Sequence, residues 1–310
     1  MEHKDTKAQR LGKFLPFYLL TFLLSLVACD NIAEDERLIY VESATPVPVP
    51  EDSTKTADEI YDAPIDSVVP MRVLIEDHTG QHCPNCPEAT KIIESFVEGF
   101  GSLIVPVAIH SQQQGIMEPE GLGNTLGNTY YNHWALSYKP AGLVNRMDGG
   151  DGVVLDKTVW AFAVQYAVSS TTPIDVRIKA VLETPETPGN PETPATTKAN
   201  IDVKVICLRD GESAAGKLQV WITEDSIVAE QDSMGIRIPD YVHNHVLRAA
   251  VNGDFGEPVS VSGKADTREF HYTATLKPAW KPENLAIVAF VYNDSGVLQV
   301  VKRKLAGSAI

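Results

Sequence analysis

The residues best suited to chemistry are two cysteines two residues apart, in His82-Cys83-Pro84-Asn85-Cys86-Pro87. Residues 71–77 before them read as a strand. After them Ile92, Ile93, Phe96, Val97 and Phe100 fall on one face of a helix that Gly101 stops. A cysteine at a helix start meets unpaired N–H groups and the positive end of the dipole, both of which favour a thiolate. Thiols so placed titrate at roughly 3.5–7.5. Cys83 takes that position in this reading. Cys86, one turn on, closes a small ring and resolves a mixed disulfide, and Pro87 suits a first turn that does not need its N–H. His82, when protonated, adds to the stabilisation of the thiolate. Two other readings of the pair stay open. One is a passive disulfide in an oxidising compartment. The other is half of a zinc site, for which Cys207, His78, His82 and His110 are the further donors.

Other reactive side chains suggest less. Cys207 shares its face with Ile201, Val203 and Val205 and reads as a buried, inert thiol. His243 and His245 would lie on one face of a strand and could pair on a metal. No acid or cysteine stands at ligand spacing, so structural or surface histidines are expected and no metal site is assigned. The chain has no Gly-x-Ser-x-Gly elbow, P-loop or His-Glu-x-x-His motif, and no cofactor is expected.

The elements that must hold the cysteines run in β-α-β…β-α order. Leu103–Ile109 is an apolar strand, 111–128 a polar loop or insertion, and Thr129–Ser137 a short helix. A strand follows Pro140, then a glycine-rich turn at 147–152. Val159, Phe162, Ala163 and Tyr166 mark a second amphipathic helix. This order predicts an α/β or α+β domain over 68–171. From Pro173 the period changes to alternation. Strands fit Ile174–Leu182, Ile201–Cys207, Lys217–Thr223, His243–Val251, Phe270–Leu276, Leu285–Tyr292 and Val297–Arg303, and imply an all-β antiparallel sandwich over 172–310. The Glu-Thr-Pro repeats of 183–194 cannot bury a core and read as a long exposed hairpin loop within it.

The N-terminus reads as an address. Four basic residues precede an uncharged run, Phe14–Ala28, that is shorter than the roughly 20 residues a bilayer span needs. Residues 1–28 are thus a signal peptide. Leu26-Val27-Ala28-Cys29 resembles a lipobox, which makes Cys29 the acylated first residue of a lipoprotein. Removing the signal takes the net charge from -15 to -17. Much of that charge lies in 29–67, a Pro-containing acidic tether. So acidic a chain repels phosphate backbones, and nucleic acid is not an expected partner.

The first folded region resembles the thioredoxin fold in its strand–CxxC–helix order. That likeness implies a buried proton-transfer acid at Asp77, six residues before Cys83, and a cis proline facing the cysteine pair at Pro140. His82 stands where thioredoxins carry tryptophan, and the insertion at 111–137 is long. A second resemblance covers nearly the whole chain. It rests on the lipobox, Leu74-Ile75-Glu76-Asp77-His78-Thr79-Gly80 leading into CxxCP, Gly142-Leu143-Val144-Asn145-Arg146, His243-Asn244-His245-Val246-Leu247-Arg248, and Val251-Asn252-Gly253. In this order the motifs are similar to the outer membrane protein 28 family of Gram-negative lipoproteins. The resemblance implies an α/β thioredoxin-like domain followed by an all-β (Ig-like) sandwich, lipid-anchored at the outer membrane on its periplasmic or cell-surface face. The expected activity is thiol–disulfide exchange on exported proteins, with Cys83, Cys86, Asp77 and Pro140 as site residues. The competing expectation is a surface adhesin, or an accessory subunit of an outer-membrane assembly, with the cysteine pair as a staple.

Overall fold

A computed structural model describes residues 55–183 and 197–305. The signal, Cys29, most of the tether and nearly all of the Glu-Thr-Pro repeat lie outside the described residues. After a short helix α1 (Ala57–Tyr61), strand β1 (Val73–Thr79) is buried along its whole length. Its period of two sends Val73 and Ile75 into one apolar cluster and Leu74 into another on the opposite face. Helix α2 (Cys86–Phe100) turns Ala89, Ile93 and Phe96 onto the first of these clusters, where Trp160 and Val164 of helix α4 (Trp160–Val168) join them. Strand β2 (Ile104–His110) runs parallel to β1, and β3 (Ala141–Val144) antiparallel on its other side. Helix α3 (Thr125–His133) covers the opposite face through Tyr130. It begins four residues before the expected start because Asn124 caps it, its side chain accepting from the Gly127 N–H at 2.8 Å.

Ten strands follow: β4 (Ile174–Glu183), β5 (Lys198–Cys207), β6 (Ser213–Glu224), β7 (Ile227–Ser233), β8 (Ile236–His243), β9 (Val246–Ala250), β10 (Glu257–Ser262), β11 (Thr267–Thr275), β12 (Leu285–Asn293) and β13 (Gly296–Lys304). β4 and β5 pair antiparallel from Ile174↔Cys207 to Glu183↔Lys198, so the repeat segment does join two strands of a hairpin. With β11 they form a three-stranded sheet. This sheet packs Ile178, Ile201 and Val203 against Val220 of β6 and Ile287 of β12.

The expected fold class is overturned. The chain is not an α/β thioredoxin-like domain followed by a separate all-β Ig-like sandwich. It is mostly β, and its largest sheet is mixed and draws on both halves, in the order β13-β12-β6-β9-β2-β1-β3, with β10 also paired to β6. The joint is narrow: β2 meets β9 in parallel through Ala108↔Val246, and the Ala108 N–H donates to the His245 carbonyl at 2.8 Å. One apolar layer then crosses the seam, from Leu74, Val107 and Ile109 to Leu247, Trp221, Val288 and Phe290. Local periodicity reports which residues face a core. It does not report which distant strand shares that core.

Candidate functional site

Cys83 and Cys86 are joined as a disulfide, with their Cα atoms 5.4 Å apart. Two turns lead from β1 to the pair. The Cys83 N–H donates to the Gly80 carbonyl at 3.0 Å, and the Cys86 N–H to the Cys83 carbonyl at 3.2 Å. Cys86, rather than Cys83, is the first residue of α2, and Pro87 follows it in the first turn. The insertion packs directly on this loop. The His82 N–H donates to the Gln114 carbonyl, and a Cβ at Gly80 would stand 2.2 Å from the same oxygen, so only glycine lets the two backbones approach.

Both cysteines are buried, at 0% and 1% exposure. What covers them is the β7–β8 hairpin from the second half of the chain. Its Asp232 N–H donates to the Gln81 carbonyl at 2.7 Å, and its Met234 N–H to the Pro84 carbonyl at 3.1 Å. Gln231 Nε2 reaches the Gly80 and Cys83 carbonyls at 3.2 and 3.1 Å. In the other direction Gln81 Nε2 donates to the Glu230 carbonyl, and His82 Nε2 lies 3.3 Å from Glu230 Oε1. Gln231 carried no signal in the sequence, because a lone glutamine in an unrecognised strand looks like surface.

Behind the disulfide, a cavity of about 440 Å³ opens between α2, β2 and the hairpin. Cys86, Asp77, His110, Gln231, Tyr241 and His243 line it. Asp77 is buried with an unpartnered Oδ1, and burial pushes its carboxyl up to about 7, with the Lys139 ammonium acting against the shift. Burial likewise brings Lys139 down to about 7, with Asp77 opposing. The Lys139 Nζ is held inward by the Thr79 carbonyl, Ser111 Oγ and the Gln113 carbonyl, at 2.5, 2.7 and 2.6 Å. The His110 and His243 rings meet edge to face, 5.5 Å between centroids. Burial, then His243, hold His110 well below its usual value, and burial brings His243 to about 4. Both imidazoles are therefore neutral at pH 7.

The expected site residues are brought together in part. Asp77 and Cys86 share the cavity. The Lys139–Pro140 peptide is cis. Pro140 lies at the end of β1 from which the cysteine loop leaves, since Ala141 pairs with His78, but it is not among the residues lining the cavity. The proposed zinc donors are scattered. His110 lines the cavity with Cys86, but His78 points to the face opposite Asp77, His82 turns to Glu230, and Cys207 is a free buried thiol at the end of β5 in the three-stranded sheet. Among the described residues no group of three or more His, Cys, Asp or Glu is placed to hold a metal ion. His243 and His245 do not share a strand either. His243 ends β8, and His245, with φ 60°, forms the corner before β9 and sits 2.8 Å from Asp225.

Residues of the other quoted motifs act as joints. Asn145 Oδ1 accepts from the Leu74 N–H at 2.7 Å, and Arg146 grips Glu76 with two hydrogen bonds at 2.7 and 2.8 Å. Arg248 Nε reaches Glu224 Oε2 at 2.8 Å, and Asn252 Oδ1 accepts from the Val220 N–H at 2.9 Å.

The model of the family described as outer membrane protein Omp28 matches residues 127–308, which begin after the cysteine pair. No curated protein matches the chain. Among solved structures, HBP35 of Porphyromonas gingivalis aligns at a TM-score of 0.56 with 15% identity, covering 78% of each chain, a likeness of fold. A structural-genomics protein from Agrobacterium tumefaciens aligns at a TM-score of 0.44 with 12% identity, over 78% of this chain and 98% of that one. With the family model matched over more than half its length, the chain belongs to the outer membrane protein Omp28 family and so to the outer membrane.

Proposed function

We propose that this outer-membrane protein exchanges thiols and disulfides with exported proteins through Cys83 and Cys86, held to the membrane by acyl chains on Cys29. The observation that carries the reading is the disulfide at the start of α2, with the Asp77 carboxyl, pushed up to about 7, in the cavity that Cys86 lines. A client thiolate attacks Cys83 Sγ, the S–S bond breaks, and Cys86 leaves as a thiolate that takes the Asp77 proton. A second client thiolate then attacks the client sulfur of the mixed disulfide and releases Cys83 as a thiolate, which is protonated from water. Two client thiols are oxidised to a disulfide and the cysteine pair is reduced to a dithiol. The two protons shed by the client thiols balance those taken up. Run backwards, the sequence reduces a client disulfide. Pro140 lies at the same end of the sheet, outside the cavity lining. The test is the reduction potential of the pair in the mature protein. A value of roughly -120 to -270 mV, with insulin reduction lost in Cys83→Ser, supports exchange. A value below about -300 mV overturns it.

The burial of both cysteines favours a second reading, a surface adhesin or accessory subunit in which the pair staples the loop under the hairpin. That reading expects the low potential. It also expects a Cys83→Ser/Cys86→Ser variant that loses stability but still captures its outer-membrane partner.

A further inference from the structure

Three features set the β7–β8 hairpin apart. It is a two-stranded sheet of its own, bonded to neither larger sheet. It contributes no residue to the apolar clusters formed by the described residues. Its grip on the cysteine loop is polar, made by the main-chain N–H groups of Asp232 and Met234, the Gln231 side chain, and the Gln81 and His82 contacts to Glu230. Tyr241 faces the cavity that Thr90 of α2 also lines. Water can replace all of these bonds, each worth only about 1 kcal/mol net. An element with few buried apolar contacts belongs to the low-stability end of a structure.

The hairpin also has two feet with unusual backbone. Ser226 just before β7 has φ 59°, and His245 shortly after β8 has φ 60°, a region that non-glycine residues seldom enter. A polar clasp holds the feet together: the Ser226 N–H donates to Asn244 Oδ1 at 2.9 Å and the His245 N–H to Asp225 Oδ1 at 2.7 Å. Beyond them the hairpin leaves the body and turns Val228, Met234, Ile236 and Val242 to solvent, with Met234 76% exposed.

We propose that the β7–β8 hairpin is a hinged cover over the Cys83–Cys86 disulfide, shut here, which swings on Ser226 and His245 to admit a client thiol. The inference rests on the exchange reading for its purpose and adds regulation to that site. Shut, the cover removes both cysteines from solvent and occupies the carbonyls of Gly80, Gln81, Cys83 and Pro84. Open, it frees the Gln81 and Pro84 carbonyls for the N–H groups of an extended polypeptide, while those of Gly80 and Cys83 keep their bonds within the loop.

The test follows the native rate at which excess dithiothreitol reduces the pair in the mature protein, read by alkylation and mass spectrometry, together with amide hydrogen exchange. The Asp232 and Met234 amides should exchange at least about 100-fold faster than those of Val288 and Phe290 in β12. Gln231→Leu, which keeps bulk but donates nothing, should speed reduction by roughly tenfold or more. Asn244→Ala, which opens the clasp, should speed it as well, and serves alone if Gln231→Leu does not fold. Hairpin amides as protected as β12, with reduction no faster in the variants than in the wild type, overturn the cover. That failure is distinct from failure of the exchange reading, which the equilibrium potential reports whatever the rate.

Discussion

At Asp77 a carboxyl is sealed among the walls of a cavity with Oδ1 unpaired, and the consequence is a proton held to about pH 7. The folded state binds that proton more tightly than the unfolded chain, whose value is near 3.8. Its contribution to stability is therefore full below about pH 4 and lost as pH rises through 7. The buried histidines work in the opposite sense. His78 is brought to about 3 and His243 to about 4, mainly by burial, and His110 is well below 6.5. Each contributes stability above pH 6.5 that is lost as pH falls. Between about pH 4 and 6.5, folding takes up one proton at Asp77 and sheds one each at His78 and His243, with His110 acting in the same direction. The balance predicts a protein that loses stability as pH drops through that window. Urea midpoints at pH 5 and pH 8 test both parts. The wild type should be weaker at pH 5, and Asp77→Asn should gain on the wild type at pH 8 and lose most of that gain at pH 5.

Arg146 connects elements. It leaves the end of β3, pairs with Glu76 of β1, and its guanidinium lies 4.4 Å from the Tyr292 ring centroid and 5.0 Å from that of Phe290. A charge buried this deeply is tolerable because its partner and the aromatic faces replace water. Removing one member strands the other. Arg146→Met should cost about 3–5 kcal/mol in equilibrium unfolding, and Glu76→Leu/Arg146→Met should recover much of it. Equal losses in the single and double variants would mean that the ring contacts, and not the pairing, carry the effect. Asn145, Arg146 and Glu76 thus have a packing role, since they tie the site-bearing strand to its neighbours.

A sheet that runs through both halves of the chain should melt as one body. Trp160 lies in the helix-covered cluster and Trp221 in the layer that crosses the seam. Trp160→Phe and Trp221→Phe versions, followed by fluorescence of the remaining tryptophans, should share one denaturant midpoint with circular dichroism. Separated midpoints would show that the β2–β9 joint does not couple the halves.

Sequence alone determined the local pieces. The β-α order around the cysteines, the alternation from Ile174 onward, the buried Cys207 and the disulfide-ready spacing of Cys83 and Cys86 are all set within a few residues of chain. Periods of 2 and 3.6, glycine stops and cysteine spacing are short-range physics. Three strands escaped it. β7 and β8 leave large apolar side chains in solvent, so their burial does not alternate cleanly, and β10 buries only Val259 and Val261. Tertiary structure decided the rest: that β2 pairs with β9, that a hairpin some 150 residues away closes over the disulfide through Gln231, and that Asp77 meets His110 and His243 in one cavity. These contacts depend on which surfaces remain to be buried after the local elements form. A hydrogen bond between Gln231 and the Cys83 carbonyl leaves no period in the chain to read.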